Sequence, residues 1–150
     1  MDHKGYMRQA LALAREAAEC GEVPVGCVIV RDGQVIGRGR NRREEKQHTG
    51  SHAEMEAICQ ANEALGTWRL DDCTLYVTLE PCPMCAGAIL NARSPGVVRR
   101  PGSRDGRLRA AEPVHGGFPQ HPALVGGVLA EECRAVLTDF FGSCGGFNTF

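Results

Sequence analysis

The sequence has no run of about 18 apolar residues, the length that a membrane-spanning helix needs, so a transmembrane helix is excluded. It has no surplus of either charge. Seventeen Lys and Arg oppose eighteen Asp and Glu for a formal net charge of −1, which rules out a uniformly basic nucleic-acid coat and leaves room only for local patches. The first residues lack the apolar middle of a signal peptide, since Met1 to Glu19 alternate charged with small apolar side chains; a cytoplasmic protein is expected. No repeat or linker divides the chain, and 150 residues are ordinary for one domain. Residues 1–150 are therefore expected to form a single domain, with 142–150 as a frayed tail. Eight cysteines are too few for a disulfide-stapled scaffold. In a reducing compartment scattered cysteines read as small buried apolar groups and clustered ones as metal ligands. Only Cys82 and Cys85 are clustered.

What is present is an alternation of helical and strand periods. Met7, Ala10, Leu11, Ala14, Ala17 and Ala18 recur at helical spacing, and Gly21 follows as a stop. Val23 to Val30 and Gln34 to Gly39 read as two strands of a hairpin joined at Arg31-Asp32-Gly33. Residues 41–51 are polar and read as a loop. Ala53 to Ala64 predicts a helix with Met55, Ile58 and Cys59 on one face. Cys73 to Leu79 is the strongest strand signal, and a helix follows through Cys85 to Asn91. Further on come a short strand at Val97-Val98, a strand over Leu124 to Leu129 and a helix over Ala130 to Phe141. This order predicts an α/β sandwich around a mixed sheet of about five strands.

Two segments carry chemistry: His52-Ala53-Glu54 and Pro81-Cys82-Pro83-Met84-Cys85. Each follows a loop and opens a predicted helix. Cys82 and Cys85, three apart on a first turn, share a face, and a helix N-terminus favours the thiolate that a metal requires. His52 as third ligand gives a His/Cys/Cys set, and three protein ligands leave the fourth tetrahedral position to water, the pattern of a catalytic zinc. Zinc lowers the pKa of that water to about 7. Hydrolytic deamination must also move protons from water to the base and to departing ammonia, which calls for a carboxyl nearby. Glu54 lies on another side of the same turn. Other readings stay open for each segment alone. Ser51-x-x-Glu54 matches a capping box, and Cys82-x-x-Cys85 suits a redox pair or half of a four-ligand knuckle completed by Cys59 or Cys73. Taken together, His-x-Glu followed by Pro-Cys-x-x-Cys is the signature of zinc nucleobase deaminases.

The chain resembles the bacterial tRNA-specific adenosine deaminases, a family of the cytidine deaminase-like superfamily. The resemblance rests on Gly21 to Val30, Asn41, His52-Ala53-Glu54, Trp68-Arg69-Leu70, Thr74 to Arg93 and Val125 to Phe141. It implies a three-layer αβα sandwich and hydrolysis of the wobble adenosine of an arginine tRNA anticodon to inosine, with loss of ammonia. It also implies one Zn2+ per subunit on His52, Cys82 and Cys85, with Glu54 as proton shuttle. Asn41 would then bond the extruded base or its ribose, and the enzyme would be a homodimer. Residues 31–46 hold six Lys and Arg, and residues 93–109 hold six more; such patches suit the phosphates of an anticodon loop, with Arg42, Arg43 and Arg107 as candidate contacts. Two alternatives are a deaminase of a free base or nucleotide, guanine or cytosine in type, and a non-catalytic zinc-stapled RNA-binding module. The chain departs from the family at His48-Thr49-Gly50-Ser51, over 99–117, and at its non-basic C-terminus.

Overall fold

Asp2 starts the chain's first helix by accepting a hydrogen bond from the backbone N–H of Gly5 at 2.9 Å, which satisfies one of the first-turn donors that a helix leaves unpaired. The computed structural model describes residues 2–99 and 123–144. In it α1 (His3–Glu19) buries Met7, Ala10, Leu11, Ala14 and Ala17, the stripe that the spacing predicts. The hairpin is β1 (Gly26–Arg31) and β2 (Gln34–Arg40). Its two loop residues, Asp32 and Gly33, have φ of 51° and 75°, as a type I′ turn demands. The strand expected from Val23 begins only at Gly26. Pro24 has no N–H to give, and that of Val25 is bonded to Val23 O at 2.9 Å, so neither can enter the ladder.

The short helix α2 (Arg43–Lys46) occupies part of the polar stretch expected to be a loop. It leads to α3 (Ala53–Leu65), β3 (Cys73–Val77), α4 (Pro83–Asn91), β4 (Gly96–Arg99), β5 (Ala123–Gly126) and α5 (Ala130–Cys144). Gly142 to Cys144, expected to fray, continue α5; the remainder of that expected tail lies outside the described residues. The five strands form one mixed sheet in the order β2-β1-β3-β4-β5. β1 runs antiparallel to β2 and β3, and β3, β4 and β5 run parallel. Strand alternation sorts the core into two layers. Val28, Val30, Tyr76 and Val98 meet α1 and Cys133 of α5 on one face. Cys27, Ile29, Leu75, Val77 and Val97 meet α3 and α4 on the other. The result is the three-layer αβα sandwich.

The inner face of α3 differs from expectation. It buries Ala53, Glu54, Ala57, Ile58 and Ala61, while Cys59 is exposed and Met55 only half-buried. The reason is steric: Gly37 and Gly39 of β2 bring the helix backbone so near that only alanines fit between them. A Cβ on Gly39 would stand 2.1 Å from the carbonyl oxygen of Ala53 and 2.6 Å from the nitrogen of Ala57. Gly39→Ala is therefore expected to lower stability by about 1–3 kcal/mol through forced backbone shifts. Thermal melts would read this as a lower Tm, and an unchanged Tm would show that α3 yields freely. The first turn of α3 is the part displaced, and it carries His52 and Glu54.

Candidate active site

Two helix starts face one another across the end of the sheet. His52 is the N-cap of α3 with extended backbone (φ −82°, ψ 157°), and Cys82 holds the same place on α4 (φ −70°, ψ 169°) with Pro83 at the first helical position. Proline suits that position because its missing N–H has no partner there in any case. Neither N-cap side chain caps its own helix. They point at each other instead: Nδ1 of His52 lies 3.6 Å from Sγ of Cys82 and 3.5 Å from Sγ of Cys85. With His52 rather than Ser51 as N-cap, Ser51 and Glu54 are out of step for a capping box.

The donor set fits a tetrahedral ion. Zinc bonds of about 2.0–2.1 Å to nitrogen and 2.3 Å to sulfur, at the tetrahedral angle, set nitrogen and sulfur about 3.6 Å apart. Among the described residues, His52, Cys82 and Cys85 are the group of His, Cys, Asp or Glu with ligand atoms close enough to share a metal. Cys59 and Cys73 do not join it. Cys59 is exposed, and Cys73 sits at the start of β3 with its sulfur on the carbonyl of Asp71. The three donors already share protons unevenly. Hydrogen bonds from Cys85 first, and also from His52, outweigh burial and hold Cys82 down to about 3, a ready thiolate. The same contact with Cys82, with burial, raises Cys85, and hydrogen bonding to Cys82 raises His52.

Glu54 is buried beside this group at 4% exposure. Burial pushes its carboxyl above the usual range, against the opposing effect of its own backbone N–H. It opens onto a cavity of about 120 Å³ that Val25, Asn41, Arg43, Leu79 and Glu80 also line. One water needs only about 10–15 Å³, so the cavity admits a larger group. Asn41 is 8% exposed, and among the described residues its Oδ1 has no hydrogen-bond partner. A buried amide oxygen left so is costly unless a ligand bonds it.

The two adjacent arginines part company. Arg42 forms an ion pair with Glu45 and lines a separate open groove of about 980 Å³ beside α3, which contains none of His52, Glu54, Cys82 and Cys85. Arg43 lines the cavity, and among the described residues it shows no ion pair. Much of the 31–46 patch is neutralised internally, with Arg40 on Glu16 and Glu45 and Lys46 on Glu56. Arg99, counted in the second patch, is also not surface charge. It is 4% exposed, 2.6 Å from Glu80. Arg107 lies outside the described residues. Glu80 and its pairing escaped sequence reading, although it stands two residues before Cys82; the available signal was the alternation that sends Arg99 inward after Val97 and Val98.

This fold and site define the class of cytidine deaminase-like proteins, and residues 1–115 match the model of the MafB19-like deaminases. The tRNA-specific adenosine deaminase of Bacillus subtilis (strain 168) is 46% identical over 140 residues, which cover 91% of this chain and 86% of that one. A solved structure from a study of A-to-I editing by tRNA:A34 deaminases at the wobble position superposes with a TM-score of 0.79 at 39% identity, covering 89% of this chain and 99% of the other. The guanine deaminase of Bacillus subtilis gives 0.65 at 31% identity, covering 100% and 98%. The chain belongs to the tRNA-specific adenosine deaminase family.

Proposed function

We propose that this protein hydrolyses adenosine to inosine at the wobble position of a tRNA anticodon, that of an arginine tRNA, and releases ammonia. The observation that carries the reading is the convergence of His52, Cys82 and Cys85 within bonding reach of one ion, beside a buried Glu54 facing a cavity. Family membership supplies the substrate. One Zn2+ per subunit would be held by Nδ1 of His52 and the two Sγ atoms. When bound, zinc supplies Lewis acidity, which brings the pKa of a water to about 7.

The chain's own residues do the rest. Glu54 takes one proton from the attacking water and passes it to N1 of the ring as the C6–O bond forms. It then takes the second from the resulting C6 hydroxyl and passes it to the departing amine as the C6–N bond breaks, so both water protons are accounted for. Burial, which raises its carboxyl, brings proton affinity nearer to working pH. Oδ1 of Asn41 accepts from the extruded nucleoside, and Val25 and Leu79 give the base apolar walls. Arg43 meets a flanking phosphate, with Arg42 and Arg107 as outer contacts. The protein acts in the cytoplasm as a homodimer, each subunit a single domain over 1–150, with no membrane association.

Mass spectrometry of transcribed arginine tRNA after incubation with the protein tests this: the wobble adenosine is expected to gain about one dalton as its exocyclic amine becomes oxygen. No gain with zinc loaded would overturn the tRNA reading. The similarity to a guanine deaminase makes a free base the second reading, and ammonia from guanine or cytosine in the same assay would favour it. A separate expectation concerns charge. Arg43→Glu should weaken tRNA binding and lower the salt slope by about 1, whereas Arg42→Glu, already paired with Glu45, should do less. Equal effects in a salt titration would show that the pairing is irrelevant.

A further inference from the structure

We infer that Glu22 is a positioning residue that holds the substrate-contacting loop in place; the inference rests on the assignment of Asn41 and Arg43 to substrate. Glu22 follows the end of α1. The chain turns there at Gly21 (φ 77°), and the N–H of Glu22 is bonded to Ala17 O at 2.9 Å. Its side chain is 1% exposed, an expensive location for a carboxylate unless both oxygens are bonded. They are. Oε1 accepts from the backbone N–H of Glu44 at 3.1 Å and Oε2 from that of Glu45 at 2.7 Å. The donors are first-turn N–H groups of α2, whose own N-cap, Arg42, provides no side-chain hydrogen bond.

Other backbone ties reach this loop before α2, where the N–H of Asn41 donates to Val25 O at 3.2 Å, so what depends on Glu22 is the start of α2 and Arg43. No residue of α2 is buried, and Glu44, Glu45 and Lys46 are exposed. Of its side-chain ion pairs, Glu45 with Arg42 and Lys46 with Glu56 are partly exposed, where such pairs contribute little, and only Glu45 with Arg40 has a largely shielded partner. A backbone bond from Arg42 N to Ser51 O at 2.9 Å ties one end. The water-shielded, charge-assisted bonds of Glu22 are the strong ones. Between β2 and α3 this loop presents Asn41 and Arg43 to the cavity beside Glu54, so Glu22 sets the geometry of substrate contact without touching substrate.

Glu22→Gln keeps the shape, yet one of its two amide positions then turns an N–H toward a backbone N–H. We expect KM for tRNA to rise roughly tenfold, with kcat and zinc content near wild type. In a double-mutant cycle with Arg43→Ala, the second substitution should add little to the first, because both remove one contact. Amide hydrogen exchange at Glu44 and Glu45 should accelerate in Glu22→Gln while the core strands stay protected, and this readout needs no activity. Unchanged exchange at those two amides, an unchanged KM, or additive losses in the cycle would each overturn the inference. A wild-type protein that makes no inosine would instead overturn the functional reading, leaving the exchange result to judge the role of Glu22 in the loop.

Discussion

Glu54→Gln protein is expected to keep its zinc and to form inosine about 10²–10⁴-fold more slowly. The substitution is chosen for what it preserves. Glu54 is buried on the first turn of α3, and truncation to alanine would open a hole beside the cavity and confound chemistry with packing. Glutamine has the same shape and can still bond its neighbours, but it cannot take up and return a proton. Metal content should hold because the group that fits an ion consists of His52, Cys82 and Cys85. Stability should not fall either, since a neutral amide costs less to bury than a carboxylate. Loss of turnover with zinc and Tm retained is therefore the signature of a proton shuttle. Turnover persisting with zinc in place would reduce Glu54 to a carboxylate at a helix start.

The sheet and the clustering of His52, Cys82 and Cys85 were both legible because each rests on short-range pattern. Near-continuous apolar runs mark β1, β3 and β4 as strands covered on both faces, and the stripe of α1 assigns its inner side, with little help from elsewhere. His52 and the Cys82/Cys85 pair were legible because two local signals, each weak, point to one chemistry. The failures share a physical origin in contacts distant in sequence. Met55 and Cys59 were expected on the buried face of α3, as large or sulfur-bearing side chains usually are, but Gly37 and Gly39 select alanine there. Such a choice is visible only once β2 lies under the helix. Arg42 and Arg43 are equivalent to a reader of sequence; helix geometry sends one to Glu45 and the other to the cavity. Glu22, Glu80 and Arg99 look like surface charges because burial of an ion depends on a partner the sequence does not announce, two backbone N–H groups for Glu22 and, for the other two, the pairing of Glu80 beyond the end of β3 with Arg99 on β4.

Removal of zinc should abolish inosine formation and leave the fold standing. Both halves follow from where the ligands sit. A structural zinc site substitutes for a core, and proteins that rely on one unfold without it. Here the apolar layers on the two faces of the sheet contain neither His52 nor Cys82 nor Cys85, and they join helices to strands without them, Met7 of α1 with Val28 of β1 in one layer and Ile89 of α4 with Leu75 of β3 in the other. Far-UV circular dichroism of chelated protein should match that of the zinc form. Its Tm should drop only as far as loss of ligand-binding stabilisation requires, a free-energy change of about 2.7 kcal/mol where zinc stands at 100 times its Kd. Added zinc should restore turnover. Cys82→Ser should mimic chelation, since it removes the sulfur held down to about 3 by Cys85 and His52, and zinc should not rescue it fully. Collapse of secondary structure on chelation would instead mark a zinc staple, and activity undiminished after verified metal loss would refute the three-ligand centre itself.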